Sequence, residues 1–143
     1  MRRLGFLLLS LVLMLAGACG SAGVSRPATI AKPYVEAVLT HDIFFGSGTS
    51  APAAIEVRVH NNATQPITIR RVELSSPGMV QYGILPIARE FRQVVAPGET
   101  KGVTVFAMAV TTVRRPNEPL AIRSIVHFEA AGTRWREIIL TQQ

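Results

Sequence analysis

Side chains able to do chemistry are few in this 143-residue chain, and they are dispersed. It holds one cysteine, Cys19, and three histidines, His41, His60 and His127. Three neutral imidazoles could ligate zinc or copper, but no two lie close in sequence and none has a cysteine beside it. Met79 and Met108 are soft enough for copper, yet no His-x-Met or Met-rich run accompanies them, so packing in the core or a loop is the plainer reading. Nucleophilic catalysis needs a Ser, Thr or Cys with a base and an orienting acid. Gly-x-Ser-x-Gly is absent, and the nine acids are spread singly along the chain. His41 and Asp42 are adjacent, so on a strand they point to opposite faces. The expectation is a protein without catalytic residues, metal or cofactor.

The lone thiol has a specific setting. Arg2 and Arg3 precede an uncharged apolar run from Leu4 to Ala18, which ends in Leu15-Ala16-Gly17-Ala18-Cys19-Gly20. A membrane span needs about 20 apolar residues, so this shorter run reads as an export signal helix. Its last residues resemble the lipobox of bacterial lipoproteins, with small residues leading to the cysteine that becomes the lipidated N-terminus. Leucine usually stands three residues before that cysteine; here Ala16 does, and Leu15 is one step further out. The resemblance implies palmitate-type acylation at Cys19 and retention in the cell envelope. Gly20 after the cysteine implies the outer membrane where the cell has one. Acyl chains bind a bilayer with about 0.8 kcal/mol per buried methylene, so several chains hold a domain there. An ordinary signal cut after Ala18, using Ala16-x-Ala18, is the alternative.

Removing residues 1–18 leaves 13 Lys and Arg against nine acids, a charge of +4. No dense basic cluster occurs, which excludes nucleic-acid binding as a working expectation. The stretch Gly20-Ser21-Ala22-Gly23-Val24-Ser25-Arg26-Pro27-Ala28-Thr29 is small, polar and broken by Gly and Pro. It predicts a flexible tether with a reach on the order of 20 Å. The division expected is a signal over 1–18, a lipidated cysteine and tether over 19–32, and one folded domain over 33–143.

These side chains must be carried by strands, because from Tyr34 onward the apolar period is two. Val35, Ala37, Leu39, Ile43 and Phe45 alternate with Glu36, Thr40 and Asp42, which puts His41 on the apolar side. Ile55 to His60, Ile67 to Leu74, Phe91 to Val95, Val103 to Val110, Ala121 to Ala130 and Thr133 to Thr141 complete seven strands. Turn residues separate them, including Asn61-Asn62 and Pro97-Gly98, the latter suited to a type II turn. His60 and His127 fall on outward faces. Seven strands without a convincing helix predict an all-β fold of two packed sheets. The Asn-Asn turn and the segment from Val94 through Thr100 resemble the immunoglobulin-like sandwich modules of bacterial surface proteins. The resemblance covers about 50 residues and lacks the Cys…Trp…Cys hallmark, implying a disulfide-free relative.

One connection is unlike a loop. Residues 79–88 are apolar and broken by Gly83 and Pro86, so they either cap the core, add an edge strand, or offer a contact surface. Tyr82, Ile84 and Leu85 are the candidate contact residues there, with Arg114 and Arg115 of the basic loop beside Pro116 as a second candidate for anionic partners. The function expected is a membrane-tethered binding or assembly module with a protein partner in the envelope. The alternative is a periplasmic carrier or sensor for a small ligand or metal. A deep pocket lined by Tyr82, Leu85 and a histidine favours the carrier; a flat surface beside a strand edge favours the module.

Overall fold

The computed structural model describes residues 25–78, 81–113 and 119–143. Eight strands occur in it: β1 (Tyr34–Leu39), β2 (Ser50–His60), β3 (Ile67–Ser75), β4 (Tyr82–Ile84), β5 (Ile87–Val95), β6 (Thr100–Thr111), β7 (Ala121–Ala130) and β8 (Thr133–Gln142). They form two four-stranded antiparallel sheets, ordered β1-β2-β6-β4 and β5-β3-β7-β8. The chain changes sheet at every step from β2 to β7, which packs the two layers face to face. This is the expected immunoglobulin-like sandwich, with seven longer strands and a three-residue eighth, β4.

The core follows from alternation. Ile55, Val57 and Val59 of β2 and Val103 and Val105 of β6 face Ile67, Ile69, Val72 and Leu74 of β3 and Ile122, Val126 and Phe128 of β7. Nearly all are sealed from solvent. Each such side chain contributes roughly 1.5–3 kcal/mol on burial. Phe128 stacks on its cross-strand partner Trp135 with ring centroids 5.5 Å apart. The inward positions on β3 shift from odd to even because the register slips between Ile69 and Arg71. That bulge turns both Arg70 and Arg71 outward, so the doublet never enters the core.

The two turns behind the immunoglobulin-like resemblance are bonded to each other. Asn61 is fully buried, and its Nδ2 donates to the carbonyls of Gln65 (2.9 Å) and Val95 (3.0 Å). Its Oδ1 accepts from Ala63 N, while its backbone exchanges bonds with Glu99 O and Gly98 N. Glu99 N in turn donates to Ala96 O, and Gly98 sits at φ +73°, as a type II turn requires.

Three sequence expectations need correction. The first strand stops at Leu39 rather than continuing to Phe45, and residues 40–49 form a loop. Thr40 leaves the ladder by bonding Ala54 O through both its N–H and its hydroxyl. β2 starts five residues earlier than expected, at Ser50. Pro52 is tolerated because β1 pairs only with residues from Ile55 onward, leaving its nitrogen on an unpaired side. The expected tether over 19–32 also overlaps the folded body. Ile30 is buried in the core, and Glu137 of β8 pairs with Arg26 (3.4 Å) and Lys32 (3.6 Å). Residues 25–33 thus strap the open flank between β1 and β8.

Candidate functional site

The histidines stand apart. His60 is on the outer face of β2, with Nδ1 2.8 Å from Thr100 Oγ1. His127 is on the outer face of the other sheet, with Nε2 2.9 Å from Glu73 Oε1. Both are oriented as their strand registers predict. His41 is not on the apolar side of a strand; it is exposed in the loop after β1, beside Thr40 Oγ1 at 3.0 Å. Among the described residues no three His, Cys, Asp or Glu side chains converge to hold a metal ion. Cys19, Met79, Arg114 and Arg115 lie outside the described residues.

The apolar connection divides between core and surface. β4 is hooked into place by Ser76, whose Oγ accepts from Ile84 N (2.9 Å) and donates to Ala121 O (2.7 Å). Its register with β6 pairs Tyr82 with Thr111 and Ile84 with Ala109, which turns both side chains inward. Ile84 is 4% exposed. Tyr82 packs on the core and meets Phe45 edge-on at 6.2 Å. Burial pushes its phenol pKa up, partly offset by a backbone contact with Leu120. Ile84 is therefore a core residue, and Tyr82, half-buried, packs against the core rather than standing free on the surface. Leu85 continues the ladder, its N–H bonding Met108 O at 2.9 Å, and turns outward at 46% exposure.

Leu85 reaches the outer face of the β1-β2-β6-β4 sheet next to two residues the sequence reading left unassigned to any surface. Phe106 is 72% exposed and Met108 43%. The register places Phe106 opposite Ala54 and Met108 opposite Pro52, with Val110 one step further along the same face. The result is an apolar strip across β4, β6 and β2. Met108, expected in the core or a loop, lies on this strip because Val105, Ala107 and Ala109 take the inward positions of β6. Phe44, 87% exposed, stands in the loop beside Phe45, at the same end of the sandwich. The signal was in the sequence. From Thr104 onward the outward positions of β6 read Thr, Phe, Met, Val, whereas an antiparallel strand with a solvated face reads polar there.

The other outer face carries most of the charged side chains, with Val94, Ile138 and Leu140 exposed among them. Arg71 bonds Glu90 (2.8 Å) and Glu73 (3.0 Å), and Glu73 also meets His127. Burial alone raises the Glu73 pKa, but the bonds from Arg71 and His127 together outweigh it and hold the carboxyl below its usual range. Among the described residues, one hollow of about 300 Å³ lies by Pro86, Ile87 and Arg123, and another of about 310 Å³ by Pro33, Asn62 and Ile139. Neither is lined by Tyr82, Leu85 or a histidine.

No protein-family model and no curated protein matches the chain. Among solved structures the chain is similar to the following, and the first of them shares its fold. One, solved as a Northeast Structural Genomics Consortium target, is 9% identical with a TM-score of 0.55, over 82% of this chain and 88% of its own. A protein from Archaeoglobus fulgidus is 8% identical with a TM-score of 0.49, over 77% and 92%. A FixG-related protein from Vibrio parahaemolyticus is 11% identical with a TM-score of 0.39, over 80% and 98%.

Proposed function

We propose that this protein is an envelope lipoprotein, tethered to a membrane through acylated Cys19, whose sandwich domain binds a protein partner and performs no catalysis. The observation that carries the binding reading is the apolar strip of Leu85, Phe106 and Met108. Exposed aromatic and aliphatic side chains scattered singly need no explanation, but a contiguous strip on an otherwise alternating strand does. It is centred on Met108 and flanked by Phe106, two residue types enriched in the cores of protein interfaces. The strip is open and shallow, so it suits a macromolecule better than an enclosed small ligand. Export and lipidation are supported by the arginine pair, the apolar run and Cys19 at its end.

Two measurements test the parts separately. Radiolabelled palmitate should enter the wild type and not Cys19→Ser; equal labelling of both refutes the anchor. A photoreactive amino acid at position 106 should crosslink a defined envelope protein in cells, and the adduct should vanish with Leu85→Ser plus Met108→Ser. The same probe at Arg134, on the opposite face, should give no such adduct. Equal crosslinking from both faces, or none from position 106, refutes the strip as the binding surface.

A further inference from the structure

We infer that the outer face of the β5-β3-β7-β8 sheet, along its β7–β8 half, rests on an anionic lipid surface. The inference builds on the anchor proposed at Cys19. Arg26 is held on Glu137 of β8 and Ile30 is buried, so the body fixes the chain at least as far back as Arg26. Six residue steps separate Ser25 from Cys19, a reach of at most about 20 Å whatever their conformation. Two sheets packed about 10 Å apart, with their outer side chains, are of similar thickness. The flank carrying β8 and β1 is therefore held against the bilayer, and the domain presents one of the two faces that share it.

Charge decides between the faces. Strand register and alternation put Arg70, Arg71, Arg92, Arg123, Arg134 and Arg136 on the outer face of the β8 sheet, against Glu73, Glu90 and Glu129. The outer face of the β1 sheet carries Glu36 and Glu56 against Arg58, a slight negative excess. Within the basic face Arg71 is paired with Glu73 and Glu90 and Arg70 with Glu129, while Arg92, with no carboxylate within ion-pair distance among the described residues, lies on the β5 edge away from β8. The β7–β8 half is different. Among the described residues no carboxylate lies within ion-pair distance of Arg123 or Arg136; Arg123 Nε donates to Ser75 Oγ at 3.2 Å. Arg134 pairs with Glu129 at 2.9 Å but leaves 72% of its side chain in solvent.

Between these arginines stand Ile138 and Leu140, 56% and 63% exposed. Register sets Leu140 opposite Arg123, Ile138 opposite Ile125, and Arg136 opposite His127. Cations bracketing aliphatic side chains match the headgroup region of an anionic bilayer, where the charge meets phosphate and the alkyl group enters the acyl boundary. Such a contact also turns the Phe106 strip away from the lipid, toward partners.

The test uses the processed lipoprotein reconstituted in vesicles of phosphatidylethanolamine and phosphatidylglycerol. An environment-sensitive fluorophore is placed through Ile138→Cys or, on the opposite face, Phe106→Cys, and nitroxide-labelled lipid is added as quencher. Position 138 should be quenched and position 106 should not. Quenching at 138 should fall in phosphatidylcholine, at about 0.5 M salt, where charges are screened beyond about 4 Å, and with Arg123→Gln plus Arg136→Gln. Each arginine near an anionic surface is worth about fivefold in binding. Equal quenching at both positions, stronger quenching at 106, or no dependence on lipid charge overturns the inference. Mass spectrometry of the same sample reads the acyl group independently. If Cys19 is unmodified, the anchor fails by itself, and the same labels in a Cys19→Ser chain added to the vesicles still read the face; no quenching at 138 then overturns the inference too.

Discussion

Adjacent residues Ile84 and Leu85 should respond in opposite ways to the same substitution. Ile84 is 4% exposed, lies opposite fully buried Ala109, and has its N–H fixed by Ser76 Oγ. Ile84→Ser removes buried aliphatic volume, at about 2–5 kcal/mol for truncations of this kind, and adds a hydroxyl that needs a partner. For a domain of about 120 residues, each kcal/mol moves the melting temperature by roughly 3–6 °C. A loss of about 10 °C or more is expected. Leu85 is 46% exposed, so Leu85→Ser forfeits only part of a side chain's burial, under about 1 kcal/mol and a few degrees. Thermal melting by circular dichroism reads both variants, and crosslinking from position 106 reads the second consequence. Leu85→Ser should lose the crosslink while keeping its fold. Equal melting losses for the two variants, or full crosslinking by Leu85→Ser, would refute the division of this segment into a core half and a surface half.

Asn61→Ala strips three side-chain bonds from the buried Ala63 N, Gln65 O and Val95 O, and should destabilise by about 2–4 kcal/mol in a denaturant titration; a change below about 1 kcal/mol would mean the paired turns hold without it. Ala131 carries φ +47° in the two-residue β7–β8 turn, followed by Gly132 at +77°, so Ala131→Asn should raise stability by about 0.5–1 kcal/mol. Acid should weaken the fold: Glu99 is held below its ordinary 4.5 first by Ala96 N–H and then by Lys101, and Glu73 by Arg71 and His127. Their contribution is complete above about pH 4.5 and is lost as pH falls through the lowered folded values, so Glu99→Gln and Glu73→Gln should each flatten the fall in melting temperature between about pH 5 and 3.

The sandwich was legible because period-two alternation needs no tertiary information. Val57, Val59, Ile67, Ile69 and Val126 could face only a core. What stayed hidden depended on contacts distant in sequence. His41 continues the first strand's alternation perfectly well, and only the bonds from Thr40 to Ala54 show where the strand ends. Ala51, Pro52 and Ala53 have weak strand preference, and it is pairing with β6 that extends them. Ile30 reads as part of a linker because its burial comes from packing into a core built by strands distant in sequence. The candidate surface was half visible. The segment around Tyr82 was marked as unusual, yet whether a side chain caps or protrudes is a matter of register with β6, which a loop-like stretch does not declare. Phe106 and Met108 were in plain sight as a break in outward polarity.

The two outer faces differ in a way the fold itself does not demand. A sandwich needs its inner faces apolar and is satisfied by any soluble outer faces. Here the apolar strip lies on one sheet and the arginine excess on the other, about as far apart as one domain allows. The strap over 25–33 closes the flank they share, and its pairing with Glu137 fixes Arg26 and Lys32 there, so the tether proposed for the preceding residues would leave from that flank. A tether leaving from either end of the sandwich would let both faces sample the bilayer equally. One leaving from the flank makes lipid contact by one face and exposure of the other the same event. Weakening the strap should therefore disturb partner binding without touching the strip. Glu137→Gln removes the charge that holds Arg26 and Lys32, and should lower crosslinking from position 106 in tethered protein while leaving it unchanged in Cys19→Ser.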